Sequence, residues 1–173
     1  MTLIRPFRCE DLLKFNRVNL DPLTETYSVN FYMQYLAHWP EYFLAAEGPN
    51  RELMGYIMGK SEGRDQNFHG HVTALSVCPE YRRLGIAAQL MTALESISEK
   101  KGCYFVDLYV RVSNKVAVEM YHKLGYIVYR RVLGYYSGDP DEDAFDMRKA
   151  LPMDVDKISV IPRKQPVRPE DIE

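Results

Sequence analysis

Cysteine is scarce in this chain. It occurs at positions 9, 78 and 103 only, and no two are spaced as CxxC. That pattern excludes a disulfide scaffold and a cysteine-built zinc site, and it fits reduced, buried thiols in a reducing compartment. No apolar run approaches the ~18 residues that a membrane-spanning helix requires. Arg5 and Arg8 interrupt the first residues, which do not read as an apolar leader, so a cytosolic protein is expected. Neither sign of charge dominates: 22 Lys and Arg stand against 24 Asp and Glu, for a net charge of −2. The balance removes any global electrostatic case for nucleic acid or an anionic membrane. There is no internal repeat, no GxGxxG and no GxxxxGK[ST], so neither a dinucleotide-binding fold nor a P-loop is supported. What remains is a chain of 173 residues with 46 % hydrophobic content, enough for one well-packed domain.

The apolar periodicity divides that domain. "FRCEDLLKFNRVNL" predicts a first amphipathic helix with Leu12, Phe15 and Leu20 among its apolar positions. Asp21-Pro22 breaks it, and "VNFYMQYLAHW" resumes a helical pattern that Pro40 stops. "EYFLAAE" and "ELMGYIMGK" read as strands joined by a hairpin around "GPNR", and "HVTALSV" as a third strand. From Gly85 onward, Ile86, Leu90, Met91, Leu94 and Ile97 fall on one helical face. "YFVDLYV" is a strand and "SNKVAVEMYHKLGY" a helix that Ser113 or Asn114 caps. "YIVYRRVL" and "AFDMRKAL" are the last strands, with "GYYSGDPDED" as a loop between them. The order α-α-β-β-β-α-β-α-β-β predicts an α/β sandwich with a mixed, mostly antiparallel sheet over residues 1–151. The Pro- and charge-rich residues 152–173 read as a tail that is disordered or held by a partner.

Chemistry concentrates in "YRRLGIAAQL". Two arginines meet a glycine at the mouth of a helix, and small residues follow. A helix N-terminus offers unpaired N–H groups and partial positive charge, and glycine lets the backbone approach a ligand. Such a turn cradles phosphate or pyrophosphate, to which Arg82 and Arg83 would add charge-assisted bonds. An ordinary capped helix with two solvated arginines has the same spacing, and the stretch alone leaves both readings open. The wider pattern narrows the choice. "RRLGIA" resembles the R/Q-x-x-G-x-G/A signature of the GCN5-related N-acetyltransferases, and "SNKVAVEMYHKLGY" resembles their N-x-x-A-x-x-x-Y-x-x-x-G-F/Y motif. "QYLAHWPEYF", "HGHVTALSV" and "DMRKAL" resemble the catalytic subunits of that family that modify protein N-termini.

The resemblance implies acetyl-CoA as co-substrate and no metal. It implies cofactor contacts at Leu75, Val77, Arg82, Arg83, Leu84, Gly85, Ile86, Ala87 and Ala88, with Asn114 and Tyr121 both touching cofactor and acting in catalysis. Tyr121 would protonate the leaving thiolate, since a phenol near ~10 matches an alkyl thiol. An α-amine near pKa ~8 is about a tenth neutral at pH 7, so only a modest base is needed, and no Glu or His announces itself as one. Implied substrate contacts are Glu25, Tyr27, His71, Thr73, Tyr109, Tyr135 and Tyr136, with His71 and Thr73 reading the side chain of the second residue. The implied substrates are nascent protein N-termini beginning Met-Asp, Met-Glu, Met-Asn or Met-Gln. The implied partners are a large helical-repeat auxiliary subunit and, through it, the ribosome. Acetylation of lysine or a small amine, and a catalytically dead CoA-binding module, are the competing readings. The His69/His71 pair lacks a third ligand and predicts no zinc.

Overall fold

The computed structural model describes residues 1–19 and 24–172. The strands are β1 (Leu3–Pro6), β2 (Phe43–Glu47), β3 (Leu53–Glu62), β4 (His69–Val77), β5 (Phe105–Arg111), β6 (Ile127–Tyr136) and β7 (Glu142–Ala150). The helices are α1 (Phe15–Val18), α2 (Val29–His38), α3 (Ile86–Lys100) and α4 (Lys115–Lys123). One sheet runs in the order β1-β2-β3-β4-β5-β7-β6, and among the strands of the described residues β4 and β5 are the one pair that runs parallel.

A helix-coated mixed sheet is what the periodicity predicts, with four local differences. β1 is an additional edge strand; at four residues ending in Pro6 it is too short to show alternation, and its pairing with β2 creates it. The expected first helix is a 3₁₀ helix, Cys9–Lys14, followed by the single turn of α1. Asp11 holds that tight turn: its carboxylate accepts from the Arg8 N–H at 2.8 Å and from both Nη atoms of Arg5 at 2.8 and 2.9 Å. Leu20 and the Asp21-Pro22 break lie outside the described residues. Tyr135 and Tyr136, expected in a loop, extend β6. The tail takes a defined path beside β6. The Val167 N–H donates to the Arg131 carbonyl at 3.0 Å, the Leu133 N–H to the Val167 carbonyl at 2.8 Å, and Val132 and Val167 form a parallel bridge. Those bonds satisfy backbone groups on a sheet edge that would otherwise face water, and composition gives no hint of them.

Apolar side chains fill both faces of the sheet. On one, Leu90, Met91 and Leu94 of α3 pack with Val106, Leu108, Tyr121 and Tyr126. On the other, Phe15, Val18, Tyr32 and Tyr35 pack on Phe43, Tyr56 and Met58. The hairpin β2–β3, the capped α4 and the amphipathic α3 form where the sequence predicts them.

Candidate active site

The site grows from a fault in the sheet. Among the described residues, β4 and β5 pair only from His69–Phe105 to Val72–Leu108, and beyond that β4 has no strand on its β5 side. A register shift opposite Met58 and Gly59 leaves Thr73 as an extra, bulged residue of β4. The bulge reverses the alternation: Val72 packs with the α3 cluster, whereas Ala74 packs on the opposite face. The parted strands enclose a cleft of about 720 Å³ that reaches from the α3 N-terminus to α4.

At one end lies the arginine-glycine turn. Arg83 and Gly85 both have left-handed backbones, at φ 64° and 78°. The first helical bond of α3 runs from the Gln89 N–H to the Gly85 carbonyl, so the N–H groups of residues 86–88 precede the ladder. A side chain built on Gly85 would meet no protein atom within 4 Å, so the space over the turn is open. The first turn of α3 carries no acidic residue, so nothing there opposes an anion. This arrangement of open space, preformed amides and arginine fits a diphosphate. Arg82, Arg83, Gly85, Ile86, Ala87 and Ala88 line the cleft, as do Leu75 and Val77 of β4. Ile86 is 1 % exposed and packed in the core, so it can offer a ligand only its backbone. Leu84, a predicted contact, does not line the cleft; its side chain faces outward.

At the other end, α4 presents two predicted residues. Asn114 caps the helix through Oδ1, which accepts from the Ala117 N–H at 3.2 Å, and it also lines the cleft. Tyr121 projects from the buried face of α4, edge-on to Tyr126. Burial pushes its phenol well above the usual tyrosine range. The near-match to a thiol is therefore not a property of the ligand-free site. A phenol raised in this way is a weaker acid, so donation to the sulfur requires a departing thiolate whose basicity is raised by the same burial.

The predicted substrate residues meet on the α2 side of the bulge. The Tyr27 hydroxyl donates to the Thr73 carbonyl at 3.3 Å, and Thr73 Oγ1 donates to the Tyr35 hydroxyl at 2.8 Å. Tyr109 stacks on Tyr135 at 4.8 Å, and the His71 ring lies 5.5 Å from Tyr109. The Tyr136 hydroxyl donates to the Tyr109 carbonyl at 3.3 Å. Thr73, Tyr109, Tyr136 and Glu25 line the cleft, while Tyr27, His71 and Tyr135 adjoin it through these contacts. Glu25, an implied substrate contact, is already engaged within the chain. Its Oε1 accepts from Arg111 Nη2 at 2.6 Å and Nε at 2.9 Å, so its charge is already matched. Arg111 also bonds Glu142 Oε2 at 3.1 Å and lies 4.2 Å over the Tyr136 ring. It thereby ties the α1–α2 loop to the ends of β5, β6 and β7.

Beneath His71 runs a buried row of charge. Asp107, 3 % exposed, accepts from His71 Nδ1 at 2.7 Å, and its other oxygen lies 3.6 Å from His69 Nε2. Burial opposes its ionisation, but the positive potential of His71, the hydrogen bond to it, and the charges of His69 and Arg148 keep its carboxyl below the ordinary range. Next along the sheet, Asp146 is pushed up to about 6 by burial and by the negative charge of Asp107, although Arg130 Nε donates to it at 3.0 Å. Arg111 and Asp107 escaped the sequence reading. A lone charge inside each of "FVDLYV" and "VRVSN" was the available signal, and only the fold reveals the partners.

Comparison with known proteins accords with this geometry. Residues 9–126 match the family model described as "Acetyltransferase (GNAT) family". The chain is 61 % identical over 174 residues to the N-terminal acetyltransferase B complex catalytic subunit NAA20 of Arabidopsis thaliana, covering 100 % of this chain and 99 % of that one. The crystal structure of Chaetomium thermophilum Naa20 in complex with a bisubstrate analogue superposes with a TM-score of 0.91 at 42 % identity, over 97 % of each chain. A chain of the NatB acetyltransferase complex bound to a bisubstrate inhibitor superposes at 0.88 and 42 % identity, over 99 % of each. The chain belongs to the GNAT acetyltransferase family and, within it, to the catalytic subunits of N-terminal acetyltransferase B.

Proposed function

We propose that this chain transfers acetyl from acetyl-CoA to the α-amino group of protein N-termini beginning Met-Asp, Met-Glu, Met-Asn or Met-Gln, as the catalytic subunit of a NatB complex. The observation that carries the reading is the split between β4 and β5, with an anion-fitting turn at one end and buried Tyr121 near the other. Acetyl-CoA, when bound, supplies the activated acyl group. The amides of residues 86–88 and the guanidinium groups of Arg82 and Arg83 hold its diphosphate. The unpaired edge of β4 at Leu75 and Val77 offers backbone groups to its amide-bearing arm, and the Val77 N–H polarises the acyl carbonyl. Tyr121 keeps its proton until the C–S bond breaks and then donates it to the departing thiolate sulfur, which leaves as the thiol. Asn114 positions the start of α4 against the same end of the cleft.

The peptide enters on the other side of the β4 bulge. Tyr135 and Tyr136 flank its backbone, Tyr27 and Tyr109 line the methionine pocket, and His71 with Thr73 reads the second side chain. Arg111 is shared between Glu25 and Glu142, so Glu25 shapes the entrance as one member of a three-residue ion cluster. An α-amine is neutral far more often at pH 7 than a lysine at ~10.4, which accounts for a site without a dedicated carboxylate base. The structures of NatB complexes support an auxiliary subunit as partner, and we infer that it is the large helical-repeat protein that carries the enzyme to the ribosome in the cytoplasm. Among the described residues, no helix is long and apolar enough to cross a membrane.

Initial rates with acetyl-CoA on peptides starting Met-Asp, Met-Leu and Ser-Glu, and on one with an internal lysine, test this. Met-Asp is expected to exceed the others by at least ~10-fold, because a polar pocket left without its partner discriminates strongly. Equal rates on all four would overturn the assignment.

A further inference from the structure

The buried carboxylate under His71 has no place in the reaction just described. Asp107 sits mid-strand on β5, opposite His71 on β4, and 3 % of it is exposed. Among the described residues, the one hydrogen bond of the His71 side chain runs from Nδ1 to Asp107 Oδ1, at 2.7 Å. That bond fixes the ring and leaves Nε2 for a ligand. A neutral imidazole that donates through Nδ1 has a bare acceptor at Nε2, which would repel a carboxylate. An imidazolium presents a donor there, which suits a carboxylate best and a carboxamide oxygen second. A charged partner under the ring favours the imidazolium.

Resting on the function proposed above, we propose that Asp107 is a specificity-determining positioning residue, whose buried charge makes His71 Nε2 a donor and tunes the pocket toward Asp and Glu over Asn and Gln at the substrate's second position. Other charges also face the pair: Lys60 of β3 lies across the ladder from His71, and the Glu62 carboxylate feels His71 as well as His69. His69, also on β4, is 3.6 Å from the second Asp107 oxygen, and Glu62 of β3 is 3.5 Å from His69. Lys60 of β3 pairs with Glu62 at 2.7 Å. Asp146 and Arg148 of β7 lie 3.6 Å apart, and Arg130 of β6 pairs with Asp146. The Glu62 carboxylate is therefore shared between Lys60 and His69, and Asp107 is the anion that His71 contacts.

The test is Asp107→Asn in the chain assembled with its auxiliary subunit. The amide oxygen can still accept from Nδ1, so the ring keeps its hold while the charge is lost. Measured as kcat/KM on Met-Asp, Met-Glu, Met-Asn and Met-Gln peptides, the acid-to-amide preference is expected to fall about tenfold, which is ~1.4 kcal/mol. A loss of the same factor on all four peptides would overturn the proposal, since a merely structural residue spares the ratio. A second variant provides a check that does not depend on the first: Asp107→Glu, which keeps a carboxylate on β5 beside His71, is expected to retain the acid preference that Asp107→Asn loses. A Glu variant whose ratio falls as far as that of the Asn variant would also overturn it. If the unmodified complex acetylates none of the four peptides, the proposed function fails and this inference with it; turnover with an unaltered ratio defeats the inference alone.

Discussion

Gly85→Ala separates the two demands placed on the arginine-glycine turn. Gly85 has φ 78°, a conformation that costs an L-residue roughly 1–2 kcal/mol. No protein atom lies within 4 Å of where the new methyl would stand, so backbone strain is the whole stability cost. For a chain of this length, that lowers Tm by roughly 2–8 °C. The methyl instead occupies the space where the diphosphate must approach the amides. Acetyl-CoA at ~100 times Kd stabilises the parent by about 2.7 kcal/mol, hence a rise of roughly 5–11 °C. If the substitution weakens binding about 100-fold, the same concentration gives only ~0.4 kcal/mol, a shift of ~1 °C. The assay is thermal melting with and without acetyl-CoA, alongside KM for acetyl-CoA at saturating peptide. A variant that melts lower as expected but gains as much from acetyl-CoA as the parent would refute the claim that this turn holds the diphosphate.

Two further outcomes follow from buried groups. Tyr121→Phe should lower kcat about 100-fold or more on Met-Asp peptide while acetyl-CoA affinity is nearly retained; an unchanged kcat would remove Tyr121 as proton donor. Asp146, pushed up to about 6 in the folded chain, binds a proton there that the unfolded chain releases near ~3.9. Its contribution to stability is thus full below about pH 4 and is lost as pH rises through about 6. The Tm of the parent relative to Asp146→Asn should therefore fall across that window, and a difference constant with pH would contradict it.

The parts of the site legible in the sequence are those written locally. The turn at Gly85, the Asn114 cap and the apolar face of α3 each follow from neighbours within a few positions, and each forms as read. The first helix misled because Leu12 and Phe15 suit a helical stripe, whereas the Arg5–Asp11 pair tightens the segment into 3₁₀ geometry. The glycines and aspartates around Tyr135 and Tyr136 predict a loop, yet pairing with β7 carries β6 through Tyr136. The bulge at Thr73 has no sequence signature, since Thr suits a regular strand as well. Glu25 and Arg111 are separated by 86 positions, so no window that reads neighbours could have shown the pair. The same holds for Asp107 and His71, 36 positions apart. Local chemistry was readable, and charge matched across the sheet was not.

The most direct measurement is diffraction from the chain crystallised with its auxiliary subunit and acetyl-CoA. Electron density for the diphosphate over the amides of residues 86–88, with the acyl sulfur within hydrogen-bonding reach of the Tyr121 hydroxyl, is the result expected. Density placing the cofactor outside the β4–β5 cleft, or its sulfur beyond the reach of Tyr121, would contradict the account.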